Sequence, residues 1–272
     1  MASIRLISTD FDGTVVDHDG GPMVSDLLME RIESLRARGA VWAMNSGRTL
    51  GMMREGLQIL PVHPDYLLTS EREVFRPAPG GGWEDFGDWN AKCREVHRGL
   101  FARTSDALMR IVDYVRERTQ ARAVYDAERP DGVIAGSEEE LDHIVGFIEG
   151  VRKDLPMLHY QRNSVYLRFC HLAYHKGAAL QELGRLLGIR RGAIFAAGDN
   201  HNDLPMLDGR YAGMPACPSN SIEPVRKSVR VAGGYVAAAR CGDGVAEALD
   251  HFSRLDPRSP AMADQPQVVP SG

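Results

Sequence analysis

The stretch IRLISTDFDGT, residues 4 to 14, is a short β-branched run from Ile4 to Thr9 that ends directly in two carboxylates, Asp10 and Asp12, and then a glycine. Such a run reads as a buried strand. An acidic pair at its end reads either as a solvated turn or as chemistry, and the pattern around it decides which. Ser25 caps a helix carrying Leu27, Leu28, Ile32 and Leu35 at helical spacing up to Gly39. Val41 to Asn45 then reads as a second buried strand and Asp65 to Thr69 as a third. Strand, helix and strand in this order imply a right-handed crossover and a parallel sheet.

The pattern changes near residue 78, where PAPGGGWEDFGDW is rich in Pro and Gly. Two helices over about 90 to 117 are expected next, then strands at Ala121 to Tyr125 and Gly132 to Ala135, and a helix opened by a Ser137/Glu140 capping box with Leu141, Ile144, Val145, Ile148 and Val151 as its stripe. Met157 to Gln161 and Ser164 to Phe169 read as two further strands. Alternation then resumes: a helix from His175 to Leu187, a strand at Ala193 to Ala197, a short helix from Leu204, a strand at Val229 to Ala232 and a last helix from Val245 to Phe252. The expected fold is a Rossmann-like α/β core with a parallel sheet, residues 1–78 and 169–255, interrupted by an α+β insertion at 79–168 and followed by a disordered tail at 256–272.

At 272 residues the chain can bury a substantial core, and 43 % hydrophobic with 25 % charged residues is ordinary globular composition. A net charge of −5 and the lack of a run of five or six Lys/Arg argue against nucleic-acid and membrane partners. The amino-terminal residues have no long apolar core of the kind a signal peptide or membrane span needs, so a cytoplasmic protein is expected. Cys93, Cys170, Cys217 and Cys241 are far apart and include no C-x-x-C, which points to reduced, inert, buried thiols.

Two of the predicted core strands end in acid-rich loops, IRLISTDFDGT and AIFAAGDNHNDLPML. Ligands of open parallel sheets sit outside the carboxyl ends of the strands, so Asp10, Asp12, Asp199, Asn202 and Asp203 are expected in one crevice. Oxygen-only donors of this kind favour Mg²⁺. An EF-hand is excluded, because counting from Asp10 puts Val15 and Gly21 where glycine and glutamate are needed, and counting from Asp17 puts Pro22 and Leu28 there. The P-loop, zincin and G-x-S-x-G motifs are absent. Ser46, at the end of the second strand, and Lys176, at the start of a helix, are suited to a phosphate. His171 and His175 lie four apart but cross a loop-to-helix junction with no third ligand nearby, imidazole at His201 is a poor Mg²⁺ ligand, and Trp83 and Trp89 read as packing.

The set DFDGT at 10 to 14, Ser46 in NSGR, Lys176 in HKG and GDNHND at 198 to 203, in this order, resembles the haloacid dehalogenase-like hydrolase superfamily over residues 4 to 250. The insertion between Ser46 and Lys176 is similar to the class IIB cap of its Cof-type, sucrose-phosphatase-like branch, as are VYLRFCHLAYHKGAAL and CPSNSIEPVRKSV, with Asn220 at the matching Asn. One departure is TSEREV at 69 to 74, where that branch commonly has Asn-Gly-Ala.

The resemblance implies a phosphatase acting on a small phosphorylated metabolite, foremost a sugar phosphate. In that reading Asp10 is the nucleophile, forming an aspartyl-phosphate, and Asp12 is the general acid and base. It further implies Mg²⁺ held by Asp10, the Asp12 carbonyl and Asp199, with Asp203 ordering a bound water or Lys176, and phosphate oxygens held by Ser46 with Gly47, Asn202 and Lys176. Arg48 is a candidate for the distal part of the substrate or for an ion pair. A phosphomutase, or a non-catalytic phospho-ligand binder, is the competing expectation.

Overall fold

The computed structural model describes residues 3–255, so the expected tail at 256–272 lies outside the described residues. In chain order the elements are β1 (Leu6–Thr9), α1 (Asp26–Ala37), β2 (Val41–Asn45), α2 (Leu50–Gly56), β3 (Tyr66–Thr69), β4 (Glu73–Pro77), β5 (Trp83–Asp85), α3 (Trp89–Arg103), α4 (Ser105–Arg118), β6 (Arg122–Asp126), β7 (Arg129–Ile134) and α5 (Glu138–Val151). They continue with β8 (Leu158–Asn163), β9 (Tyr166–His171), α6 (Lys176–Leu186), β10 (Ile194–Ala197), α7 (Leu204–Leu207), β11 (Met214–Cys217), α8 (Glu223–Val231), β12 (Tyr235–Val236) and α9 (Cys241–Arg254).

One eight-stranded sheet has the order β12-β11-β10-β1-β2-β3-β4-β5, parallel from β12 to β3. Its central strands are apolar on both faces because both are covered. Ile7, Trp42 and Phe195 pack with residues of α1 and α9, while Leu6, Ala43 and Ala196 pack with residues of α6, α7 and α8. Ser25 caps α1 by accepting from the Leu28 N–H, and Leu28, Ile32 and Leu35 are buried; Leu27 faces outward and Met29 takes its place.

The Pro/Gly-rich stretch after residue 77 does not end this sheet. It is the turn of a hairpin in which β4 and β5 pair antiparallel and extend the sheet past β3. The second sheet, β6-β7-β9-β8, is antiparallel and carries α3, α4 and α5 with a separate apolar cluster that includes Phe101, Ile111, Ile144, Leu167 and Phe169. Ser137 caps α5 as expected, but the Glu140 carboxylate turns to the N–H groups of Gly136 and Gln120 and not to that of Ser137, so the capping box is half formed.

The strand expected at Val229 to Ala232 is instead the end of α8. Pro224 in its first turn and Val225 and Val229, four apart and buried, give the segment one apolar helical face, which overrides the β-branched composition. The strand that follows β10 is β11, where Pro215 weakens the strand signal. The last helix begins at Cys241, four residues before the expected start.

Candidate active site

β1, β2 and β10 run in parallel, so the residues that follow them, Asp10, Ser46 and Gly198–Asp199, leave the sheet on the same edge. α6 delivers Lys176 from its first turn, with its carbonyl held by the Asn45 amide at 3.2 Å. The Lys176 ammonium is completely buried and donates to Asp10 Oδ1 and to Asp203 Oδ1, both at 2.6 Å. Carboxylate oxygens of Asp10, Asp199 and Asp203 all lie within 4.8 Å of one another.

Three acids and one cation in this space leave the acids short of counter-charge. Burial, together with Asp203 and Asp199, pushes the Asp10 carboxyl well above its ordinary range in spite of Lys176. Burial and the Asp203 charge push Asp199 up to about 7. Burial alone would lower the Lys176 pKa, but Asp10 and Asp203 outweigh it and hold the ammonium charged.

The donor set therefore suits a hard divalent cation. Asp203 is the most engaged of the three: Oδ1 takes Lys176 and Oδ2 accepts the N–H groups of Asp199 and Asn200, each at 2.9 Å. Asp10 and Asp199 are the carboxylates with most capacity left, and Thr14 steadies Asp199 by donating to Oδ1 at 3.1 Å. Gly13, at φ +75°, passes so close that a Cβ there would come within 2.5 Å of Asp199 Oδ2. Asn220 fixes that turn, donating to the Gly13 carbonyl and accepting the Cys241 N–H, both at 2.8 Å.

This imbalance gives the metal-free protein a pH signature. An unfolded chain releases the Asp199 proton near 3.8, whereas the folded chain keeps it to about 7. Across that window the folded state binds more protons, so this carboxyl's contribution to stability falls as pH rises. In EDTA the melting temperature is expected to drop between pH 5 and 7.5 and to recover at pH 7.5 with millimolar Mg²⁺. A metal-insensitive melting curve would contradict the charge balance described here.

Asp12 stands apart from this group. Its carboxylate is gripped by Arg48, through Nε at 2.8 Å and a terminal nitrogen at 2.7 Å, and by His18 Nε2 at 2.7 Å. Partial burial would raise its pKa, but these bonds bring it below the usual range. Arg48 therefore lies over the Phe11 ring in an ion pair with Asp12. Ser46 is buried, with its hydroxyl accepting from the Arg48 N–H at 3.2 Å.

Asn202 turns its amide to Glu71, Nδ2 to Oε1 at 2.9 Å, a partner that sequence reasoning missed. Glu71 belongs to the departing TSEREV segment. Ser70 and Glu71 have φ of +51° and +66°, and their N–H groups are tied to the carbonyls of Arg48 and Ser46 at 2.8 and 3.1 Å. Non-glycine residues in that backbone region are strained and need such anchoring. The signal was the mismatch with Asn-Gly itself. His18 left no signal, and Thr14 was overlooked inside the DFDGT motif.

The other candidates behave as packing or capping groups. His175 caps α6, its Nδ1 accepting from the Ala178 N–H at 3.2 Å, and burial lowers its pKa to about 4. His171 Nδ1 accepts from the Ala173 N–H. Trp89 donates to the Arg72 carbonyl at 2.6 Å and packs on Tyr174, and all four cysteines are free and buried. Among the described residues no helix is long and apolar enough to cross a membrane.

Comparison with known proteins finds relatives in sequence and in fold. A phosphoglycolate phosphatase of Thermoplasma volcanium is 23 % identical over 252 residues, 93 % of this chain and all of that protein. The fold matches the sucrose-phosphatase of Synechocystis sp. PCC6803 with a TM-score of 0.67 at 20 % identity, covering 93 % of this chain and 98 % of the other. It also matches a subclass IIB sugar phosphatase, BT4131, with a TM-score of 0.63 at 16 % identity, covering 91 % and 98 %. The family model of haloacid dehalogenase-like hydrolases matches residues 105–249, more than half of the chain. With the acidic edge of the parallel sheet and the second α/β sheet inserted in it, the chain belongs to the haloacid dehalogenase-like hydrolase family, as a phosphatase-type enzyme.

Proposed function

We propose that this enzyme is a Mg²⁺-dependent phosphatase of a small phosphorylated metabolite, working through an aspartyl-phosphate on Asp10. The carrying observation is the buried Lys176 bridging Asp10 and Asp203 beside Asp199, at the carboxyl ends of β1 and β10. Relatives named phosphoglycolate phosphatase, and solved structures of sucrose and sugar phosphatases, support a small phosphate ester as substrate, with sugar phosphates the leading class.

In this reading Lys176 holds Asp10 Oδ1 and aims the other oxygen, Oδ2, at phosphorus. Attack forms the Oδ2–P bond and breaks the bond to the leaving oxygen, which departs as an alcohol with a proton from Asp12. Water then attacks phosphorus, Asp12 takes its proton, and Asp10 and inorganic phosphate are restored. Asp12 in its ion pair is an ionised carboxylate, the form that accepts a proton; donating one requires release from Arg48 and uptake of a proton from solvent before the first step. The Ser46 hydroxyl and the Gly47 N–H supply donors to the phosphoryl oxygens, and Asn202 does so once it leaves Glu71. Mg²⁺, held by Asp10 and Asp199 with the Asp12 carbonyl, would neutralise the repulsion between carboxylate and phosphate.

A screen of phosphorylated metabolites with Mg²⁺ and with EDTA, reading released phosphate, tests this. Release confined to the Mg²⁺ arm is expected; no release, or release indifferent to EDTA, would refute it. Asp199→Ala is expected to raise the Mg²⁺ concentration for half-maximal activity at least about tenfold, because it removes a direct ligand. An unchanged Mg²⁺ titration would take Asp199 out of the metal shell. We further propose that the inserted unit, expected at 79–168, acts as a cap that covers the sheet edge and reads the rest of the substrate, with its entry junction following β5.

A further inference from the structure

The loop that replaces Asn-Gly-Ala leads into a cavity of about 720 Å³ between the two sheets, within the size range of small-molecule sites. It begins where the phosphate-side loop ends: Thr49 and Ser70 are in its wall, and Ser70 is bonded to the Arg48 carbonyl. Five arginines line it, Arg72, Arg94, Arg98, Arg129 and Arg168, against three carboxylates, Glu73, Asp126 and Asp131. In a chain of net charge −5 this is a local excess of positive charge.

The carboxylates are committed. Glu73 lies 3.7 Å from Arg94, Asp126 pairs with Arg129 at 2.5 Å, and Asp131 lies 3.3 Å from Arg168. Among the described residues no carboxylate comes within 4.0 Å of Arg72 or Arg98. Arg168 is 8 % exposed and spans from β9 to the Gly47 carbonyl at 2.9 Å, with its Nε 3.3 Å from Asp131. Cavity, phosphate-side loop and a buried guanidinium are therefore contiguous. His97 in the same wall adds no charge: burial and the nearby Arg72 lower its pKa to about 4.

We infer that this cavity receives a second anionic group of the substrate, so that the preferred substrate is a phosphate monoester that also carries a carboxylate or another phosphate. Guanidinium groups match such groups in charge and in planar, two-point geometry, and Arg72 and Arg98 are the ones free to do so. The inference rests on the phosphatase reading and narrows its substrate class.

The test compares 3-phosphoglycerate with glycerol 3-phosphate, which is of similar size but has a hydroxymethyl group where the first has a carboxylate, and uses p-nitrophenyl phosphate as a substrate with no second anion. Wild type is expected to favour 3-phosphoglycerate by at least about tenfold in kcat/KM. In the double variant Arg72→Gln/Arg98→Gln that preference is expected to collapse to within about twofold, through KM, with p-nitrophenyl phosphate hydrolysis unchanged. Hydrolysis of p-nitrophenyl phosphate by a wild type that shows no preference for the carboxylate, or a preference that survives in the double variant, overturns the inference and leaves the phosphatase reading standing. Equal loss on all three substrates also overturns it, since the arginines would then be structural. Release from none of the three by wild type overturns both.

Discussion

Asp10→Asn is expected to lower kcat by at least about 10³-fold while leaving the protein folded, because a nucleophile is lost and the barrier rises by more than about 4 kcal/mol. Amide and carboxylate are nearly the same size, and the amide carbonyl can still accept the Lys176 ammonium that now bonds Oδ1. The amide nitrogen, with its lone pair delocalised, cannot attack phosphorus. The variant also removes one of three crowded acids, so in EDTA above pH 7 it is expected to melt no lower than wild type. Steady-state kinetics on the best substrate from the Mg²⁺ screen measures the first effect and calorimetry the second. Residual kcat above about a tenth of wild type, a loss under about 1.4 kcal/mol, would disprove the nucleophile assignment.

Lys176→Met should be costlier to the fold than to any single catalytic step. Methionine fills similar space, but Asp10 and Asp203 are left buried without their shared cation, and breaking such a pair by removing one partner costs about 3–5 kcal/mol. The deficit, read by urea unfolding without metal, should be largest above pH 7 and shrink as pH falls, because protonation of Asp10 removes the unpaired charge. Mg²⁺ should stabilise this variant more than wild type, since the metal then stands in for a missing positive charge. If the variant does not fold without metal, refolding in Mg²⁺ still separates the cases. A loss below about 1 kcal/mol, independent of pH, would mean that Lys176 does not carry the charge balance of the site.

Much of the fold was legible because local chemistry and tertiary placement agreed. Leu6 to Thr9, Val41 to Asn45 and Ile194 to Ala197 are buried on both faces, as a strand covered on both sides must be, and Ser25 and Gly39 bracket α1 as cap and stop. They disagreed at Val229 to Ala232, where the β-branched run lies in a helix because Val225 and Val229 share one buried face. They disagreed again at residues 78 to 85, where a Pro/Gly-rich stretch looks like a boundary but turns a hairpin that continues the sheet. Composition reports flexibility and punctuation; it does not report pairing partners.

By itself the sequence determined which residue types stand at the ends of the core strands, Asp10 and Asp12, Ser46 and Asp199 to Asp203, and at the start of α6, Lys176, since motif order and strand periodicity are local properties of the chain. Only the tertiary structure decided who holds whom. Lys176 bridges Asp10 and Asp203, Arg48 is spent on Asp12, and Asn202 turns to Glu71, whose segment departs from the family pattern without saying what the residue touches. The arginines beside Glu71 come from β3–β4, α3, β7 and β9, and nothing in their spacing announces that they share one cavity. Charge balance and desolvation are set by distances across the chain, and these exist only once both sheets have been packed.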